Sequence, residues 1–126
     1  MIVGVGVDIC DIPRLAKIIR RASPLFFKRL LSEREYRYYR SLLNPGKQAR
    51  WLAGIFASKE AILKAAGTGI DGRYGFHTID TMAGYPERPQ VRLPASFHQR
   101  WGETVHCHLN LTYSHHEVIA CAILEI

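Results

Sequence analysis

Two side chains of opposite charge lie one helical turn apart near the middle of this 126-residue chain. Glu60 and Lys64 belong to the run ASKEAILKAAGTG, which predicts the last turns of a helix followed by a glycine turn. Residues four apart share a helix face, so the carboxylate and the ammonium are neighbours. Such a pair beside a glycine turn suits a metal-bound phosphate, with the carboxylate on a divalent cation and the ammonium on phosphoryl oxygens. The alternative is a solvated ion pair on the helix surface.

A second carboxylate, Asp8, follows an apolar, β-branched run at the start of the chain. This run, residues 2–9, predicts a buried strand. Alternation along the strand puts Gly4 and Gly6 on the same face as Asp8, and the two glycines let another element pack closely there. Because burying an unpaired charge is unfavourable, Asp8 needs a partner. A metal ion shared with Glu60 is one solution, and a loop cap or an arginine partner is the other.

These residues form part of a longer pattern that resembles the holo-(acyl-carrier-protein) synthase family of 4′-phosphopantetheinyl transferases. The pattern comprises an N-terminal GxGxDI at residues 4–9, a central WLAGxFAxKEAxxKAxGTGI at residues 51–70, and LxLxxSH at residues 109–115, followed by AxA at residues 120–122. It extends over nearly the whole chain. The resemblance implies one phosphopantetheinyl transferase domain over residues 1–126. The predicted fold class is α+β, with helices packed on an antiparallel sheet.

The resemblance also implies an activity. Members of the family use Mg²⁺ to transfer 4′-phosphopantetheine from coenzyme A to a serine of an apo acyl carrier protein, and they release adenosine 3′,5′-bisphosphate. They form homotrimers with active sites at subunit interfaces. On this expectation the chain serves fatty acid biosynthesis or polyketide synthesis, and its partners include neither nucleic acid nor a membrane.

Residue roles follow from the same resemblance. It implies Mg²⁺ ligation by Asp8 and Glu60, and phosphate stabilisation by Lys64. Glu60, or a water that it orients, is the candidate general base, and His115 is a candidate for positioning that water or a phosphate. The implied catalytic residues are Glu60, Lys64 and His115, and the implied coenzyme contacts are Lys64, Gly67, Thr68, Gly69, Ser114 and His115.

Two places in the chain depart from the family's pattern. Ile55 stands where the family commonly has a basic residue, so one contact to a coenzyme phosphate is lost or replaced. His116 and Glu117 follow the Ser-His pair where small polar residues are more usual, which leaves the local coenzyme contacts open. A non-catalytic relative of the family is therefore one alternative.

The chain is basic, with a formal net charge of +6. A helix is predicted to begin near Ile12, with Asp11 as its cap, and Arg14, Lys17 and Arg21 then share one of its faces. We call these three residues the basic stripe. Acyl carrier proteins are acidic, so the resemblance makes the basic stripe the predicted docking surface. An ordinary solvated helix face is the alternative.

Basic and aromatic residues also interleave at Arg34, Arg37, Tyr38 and Arg40. Such a pattern can bind and stack RNA bases, so a small basic RNA-binding module is the alternative function class. That alternative explains the charge, but it does not explain Asp8 or the Glu60 motif. A solvated helix face is the simpler interpretation of this segment.

Lys59 falls within the apolar stripe of the central helix, which is predicted to extend from about Gln48 to Ala66. A buried ammonium must have a partner or lose its proton. Three interpretations remain open: a side chain that reaches solvent at an interface, an ion pair with a site carboxylate, and a contact with the ligand.

The histidines at positions 106, 108, 115 and 116 resemble metal ligands in their spacing. His106 and His108 alternate along the polar face of a predicted strand, where we expect them to face solvent. Mg²⁺ prefers oxygen ligands in any case. Only His115 receives a role, through the family's Ser-His pair.

The remaining elements are predicted from turn signals and periodicity. We expect a turn at residues 44–46 and a helix over residues 33–42 that opens with a capping box from Ser32 to Glu35. A strand near residues 74–82, a short strand at 90–93 and a helix at 94–101 follow. A hairpin then joins strands near residues 105–114 and 118–125.

Composition indicates the compartment. The chain has no apolar run long enough for a membrane span and no signal-peptide pattern at its start. Its three scattered cysteines indicate reduced thiols rather than a disulfide framework. These features favour the cytoplasm, or the mitochondrial matrix if a presequence was removed.

Overall fold

The computed structural model describes residues 1–67, 75–86 and 90–126. Its elements in chain order are β1 (Ile2–Asp11), α1 (Ile12–Arg21), α2 (Pro24–Leu30), α3 (Glu33–Ser41), α4 (Pro45–Ala66), a 3₁₀ helix (Phe76–Thr78), α5 (Ala95–Trp101), β2 (His106–Tyr113) and β3 (Glu117–Glu125). The predicted α+β class is confirmed, because these helices pack on a three-stranded antiparallel sheet. Among the described residues, no helix is both long and apolar enough to cross a bilayer.

The strand order of the sheet is β1-β3-β2, so β3 is central and forms the predicted hairpin with β2. The inner face of the sheet is the face on which the helices pack. It carries Gly4, Gly6 and Asp8 of β1, which were predicted to share one face, together with small or apolar residues of β3. The opposite face, which we call the outer face, points away from the helices. At its centre it carries apolar side chains from the two paired strands: Val5, Val7, Ile9, Ile119, Cys121 and Ile123.

Helix α4 lies directly on the inner face. A Cβ atom on Gly6 would lie 2.0 Å from the carbonyl oxygen of Ala61, and one on Gly4 would lie 1.8 Å from that of Ala65. The prediction that these glycines permit close packing is therefore confirmed. The two contacts also fix the relative direction, since β1 runs towards the start of α4. Asp8 continues the same face of the strand beyond Gly6.

Helix α4 is largely buried, because the sheet covers one side of it and α1 and α3 pack against other parts of its surface. It begins at Pro45 with Asn44 as its N-cap, so the turn expected at residues 44–46 is the first turn of the helix. It ends as predicted at Gly67, whose φ of +73° favours glycine.

The two predicted N-terminal caps have different outcomes. The capping box of α3 is confirmed, with Ser32 accepting from the Glu35 amide and Glu35 accepting from the Ser32 amide. Asp11 occupies the N-cap position of α1, but its side chain makes no capping hydrogen bond. The Ile12 amide instead donates to the carbonyl of His116, 2.8 Å away, which ties α1 to the β2–β3 turn.

The prediction of strands over residues 74–82 and 90–93 is wrong. Within the described residues, the first segment contains the 3₁₀ helix, and the two segments share only isolated bridges between Asp80 and Arg92 and between Met82 and Gln90. Side chains take backbone groups that a regular strand pairing would use. Lys59 donates to the Phe76 carbonyl, and the Thr81 amide donates to Glu35.

The three cysteines Cys10, Cys107 and Cys121 are free and half-buried. Burial is the main cause that raises the pKa of Cys10 to about 11 and that of Cys107 to about 12. These two thiols are therefore protonated at neutral pH and chemically unreactive, because the thiolate is the reactive form.

Candidate active site

Asp8, Glu60 and Lys64 form a charged cluster where β1 crosses the second half of α4. The Lys64 ammonium lies 2.8 Å from Asp8 Oδ1 and 3.2 Å from the carbonyl oxygen of Val7. The Asp8 side chain is only 15% exposed, whereas that of Lys64 is 52% exposed. The cluster therefore has a largely buried carboxylate on one side and a cation that reaches solvent on the other.

The electrostatics of the cluster show that the two carboxylates repel each other. Burial raises the pKa of Glu60, the charge of Asp8 raises it further, and Lys64 partly offsets both effects. The hydrogen bond from Lys64 to Asp8 in turn raises the pKa of Lys64. One ammonium thus balances two carboxylates, which leaves the cluster with excess negative charge.

This donor set fits Mg²⁺. The cluster offers carboxylate oxygens from two separate elements and has neither sulfur nor imidazole, and hard divalent cations prefer such oxygen ligands. A cation between Asp8 and Glu60 would also remove the repulsion that raises the pKa of Glu60. Asp8 and Glu60 are therefore the residues that would hold the ion.

The glycine turn follows directly after the cluster. The Gly67 amide donates to the Lys64 carbonyl, 3.0 Å away, as part of the helix cap. This N–H is therefore already engaged within the helix cap, and the contact of Gly67 with the coenzyme stays a prediction. Thr68 and Gly69, the other two predicted contacts, lie outside the described residues.

Ser114 and His115 lie far from Lys64 within one chain. They belong to the β2–β3 turn, where the Ser114 carbonyl accepts from Arg50 at 3.1 Å. Arg50 and Lys64 are fourteen residues apart on α4, about 21 Å along the axis at 1.5 Å per residue. Ser114 also uses its hydroxyl within the turn, accepting from the Glu117 amide at 3.0 Å. The predicted catalytic set therefore does not form one site within a single subunit.

Lys59 forms an ion pair, but not with a carboxylate of the candidate site. Its ammonium lies 2.6 Å from Glu35 Oε1, and both side chains are fully buried. It also donates to the carbonyls of Leu30 and Phe76. Burial lowers the pKa of Lys59, and the charge of Glu35 opposes that shift. The partner could not be recognised from the sequence, because the capping box already accounted for Glu35.

Ile55 lines an apolar groove between α4, β2 and residues 81–86. The groove has a volume of about 470 Å³, and aromatic residues including Tyr38, Trp51, Tyr85 and Tyr113 lie along it. The position where the family commonly has a basic residue therefore faces aromatic side chains here.

The basic stripe is on the surface. Arg14, Lys17 and Arg21 are all exposed on α1, while Leu15 on the same helix is buried. Because α1 follows β1 without a break, the stripe begins six residues after Asp8. The surface is therefore connected to the candidate metal site by a short stretch of chain at the junction of β1 and α1.

Two of the residues that suggested RNA binding, Arg34 and Tyr38, contact other parts of the protein. Arg34 donates to the carbonyls of Met82 and Ala83. Tyr38 packs against Trp51 and Tyr85, with ring centroids 5.1 and 5.4 Å apart. These contacts explain the segment as part of the folded core and its edge.

Comparison with known proteins gives matches over almost the whole chain. The family model described as "4′-phosphopantetheinyl transferase superfamily" matches residues 4–123. A holo-[acyl-carrier-protein] synthase of Geobacillus kaustophilus is 37% identical over 125 residues, which cover 99% of this chain and 90% of the relative. Two solved structures are also similar. A holo-(acyl-carrier-protein) synthase of Bacillus anthracis, described as in complex with CoA (3′,5′-ADP), has a TM-score of 0.81, 30% identity and coverage of 99% of this chain and 97% of its own. The enzyme of Neisseria meningitidis has a TM-score of 0.82 and 26% identity, and both chains are covered completely.

Proposed function

This chain belongs to the 4′-phosphopantetheinyl transferase superfamily, and we propose that it transfers 4′-phosphopantetheine from coenzyme A to a serine of an apo acyl carrier protein. The cluster of Asp8, Glu60 and Lys64 is the observation that carries the proposal. The names of the relatives and the coenzyme in the Bacillus anthracis structure support the two substrates. The extent of the match favours a transferase over the RNA-binding module.

The chemistry requires cations more than a covalent nucleophile, because negative charge accumulates on the pyrophosphate as the bond to the leaving group breaks. Mg²⁺ held by Asp8 and Glu60 would supply charge neutralisation there. Lys64 donates from its exposed ammonium to a phosphate oxygen. Its bonds to Asp8 and to the Val7 carbonyl hold the ammonium beside the metal ligands.

Glu60 is the candidate general base. Burial and the charge of Asp8 raise its pKa, which makes it a stronger base than an ordinary carboxylate. The proton of the carrier serine passes to Glu60, directly or through a water. The serine oxygen bonds to the β-phosphorus of coenzyme A, and the bond from that phosphorus to the bridging oxygen breaks. Adenosine 3′,5′-bisphosphate leaves.

The proposal is tested by incubating an apo acyl carrier protein with this protein, coenzyme A and Mg²⁺ and measuring the intact mass of the carrier. We expect the mass to increase by one phosphopantetheine. Two controls are needed: the enzyme must be well folded, and a known synthase must modify the same carrier. If the carrier then stays unmodified by this protein, the result would favour the non-catalytic relative instead.

The bacterial origin of the relatives supports a cytoplasmic enzyme and not the mitochondrial alternative.

We further propose that the protein assembles as a homotrimer with its active sites between subunits. The outer face supports this assembly, since Val5, Val7 and Ile9 are each more than half exposed and a contiguous apolar surface of this kind marks an interaction site. The distance between Lys64 and the Ser114 turn supports it as well. A neighbouring subunit can bring its own turn to Lys64, which the same chain cannot do.

Sedimentation should therefore give a mass of three times 14.3 kDa. Replacing Val7 with Asp puts a charge at the centre of the outer face, and we expect it to dissociate the trimer and abolish transfer. Leu43→Asp is the matched control, because Leu43 is 93% exposed and lies outside the sheet. A stable monomer with full activity would contradict the proposal. A second contradiction would be a mixture of Lys64→Ala and His115→Ala subunits that regains no activity. In a mixed trimer, some sites combine the intact Lys64 of one subunit with the intact His115 of another.

The basic stripe is proposed as the docking surface for the acidic carrier. Reversing Arg14 and Arg21 to Glu should raise the KM for the carrier at least about tenfold, because several charges together steer association, while the KM for coenzyme A stays unchanged. Added salt should weaken carrier binding by the wild type more than by the variant. The control variant reverses two exposed residues outside the stripe, Lys28 on α2 and Arg37 on α3, to Glu. It changes the net charge of the protein by the same amount. Equal effects of the two variants would place the docking surface elsewhere.

A further inference from the structure

Two histidines and a carboxylate converge at one end of the outer face, away from the β2–β3 turn. Glu125 Oε1 on β3 lies 2.9 Å from His108 Nε2 and 3.2 Å from His106 Nε2 on β2. One ligand atom from each residue lies within 4.8 Å of the others. None of these residues belongs to the candidate active site.

The backbone fixes this arrangement. His106 is directly opposite Glu125 in the β2–β3 register, and His108 is two residues further along the same face. The C-terminal end of β3 is itself held, because the Ile126 amide donates to the Met1 carbonyl at 2.9 Å. The three side chains therefore start from positions that the sheet determines.

The hydrogen bonds of His106 indicate which of its ring nitrogens carries the hydrogen and which one presents a lone pair to the carboxylate of Glu125. His106 Nδ1 lies 3.0 Å from the Thr104 carbonyl, which only accepts, so Nδ1 carries the hydrogen. The neutral ring then presents the lone pair of Nε2 to Glu125. An ionised Glu125 carboxylate has no hydrogen to donate and can only accept. Two acceptors therefore face each other unless a cation or an extra proton lies between them.

We propose that His106, His108 and Glu125 bind a divalent transition-metal ion of the zinc type at a site separate from the Mg²⁺ site. Two imidazoles and one carboxylate form a donor set that Zn²⁺ takes, with a further position left open, whereas Mg²⁺ prefers oxygen ligands alone. The carbonyl bonded to His106 Nδ1 supplies the outer partner that orients a metal-ligating histidine. The bound ion would clamp the edge strand β2 to the central strand β3.

The first test is calorimetric titration of the full chain with Zn²⁺, with Mg²⁺ in excess to occupy oxygen-ligand sites. We expect one Zn²⁺ per chain. His108→Ala and Glu125→Gln should each weaken binding by at least about tenfold, since even loss of an outer partner typically weakens metal binding by 10–100-fold. His116→Ala removes an exposed histidine outside the cluster and should leave the affinity unchanged.

Transfer activity with Mg²⁺ alone should be the same in the wild type and in His108→Ala, which shows that the variant is folded. The second test is the ¹⁵N resonances of the histidine rings. Zn²⁺ should shift Nε2 of His106 and His108, while Nδ1 of His106 keeps its hydrogen. Equal Zn²⁺ affinity in the wild type and His108→Ala would overturn the proposal. So would loss of binding in His116→Ala, or histidine resonances that respond to pH and not to Zn²⁺, which indicates an imidazolium–carboxylate pair only.

Discussion

Replacing Glu60 with Gln is expected to slow phosphopantetheine transfer by more than about 10²-fold, and Asp8→Asn should have a similar effect, because preorganised charges at a reacting phosphate commonly contribute that much. Each substitution keeps the size of the side chain and removes one negative charge from the cluster. Glu60→Gln also removes the candidate base. The intact-mass assay with apo carrier and coenzyme A measures the rate.

Calorimetric titration with Mg²⁺ shows whether the loss arises from the metal. Both variants should bind Mg²⁺ more weakly than the wild type, whereas Glu33→Gln, an exposed carboxylate on α3, should bind it as the wild type does. Because the pKa of Glu60 is raised, protons should compete with Mg²⁺ in the wild type at a higher pH than at an ordinary glutamate. Transfer at the wild-type rate by either variant would rule out the proposed ligand pair.

The candidate metal site could be located from the sequence because local rules position its residues. Alternation along β1 places Asp8 on the face of Gly4 and Gly6, and the structure confirms that α4 packs on those glycines. The spacing of Glu60 and Lys64 gives their shared helix face, and Gly67 ends the helix as predicted. That β1 and α4 lie next to each other does not follow from local rules, because they are distant in the sequence. The family resemblance supplied that part of the prediction.

The rest required information that residue spacing does not contain. The pairing of Lys59 with Glu35 joins two helices through a buried contact, and Glu35 already had a complete local explanation as a capping residue. The convergence of His106 with Glu125 depends on the register between β2 and β3. The strand predicted over residues 74–82 failed for a related reason, because side chains of α3 and α4 bind its backbone.

Replacing Lys59 with Met is expected to lower the free energy of unfolding by about 3–5 kcal/mol, the usual effect of removing one partner from a buried ion pair. The pair is fully buried, so the variant leaves the charge of Glu35 in the core without a counterion. It also leaves the carbonyls of Leu30 and Phe76 without their donor. Urea unfolding measures the change, and the exposed Lys28→Met on α2 should stay within about 0.5 kcal/mol of the wild type.

The double variant Lys59→Met/Glu35→Leu separates the charge from the hydrogen bonds. Replacing both partners removes the uncompensated charge, so it should be more stable than Lys59→Met alone. Recovery should be incomplete, since Glu35 also accepts from the amides of Ser32 and Thr81. If Lys59→Met unfolds like the wild type, the ammonium does not stabilise the core. If it is unstable but transfers at the normal rate while folded, Lys59 acts only by joining α4 to α2, α3 and the 3₁₀ helix, although it is adjacent to Glu60.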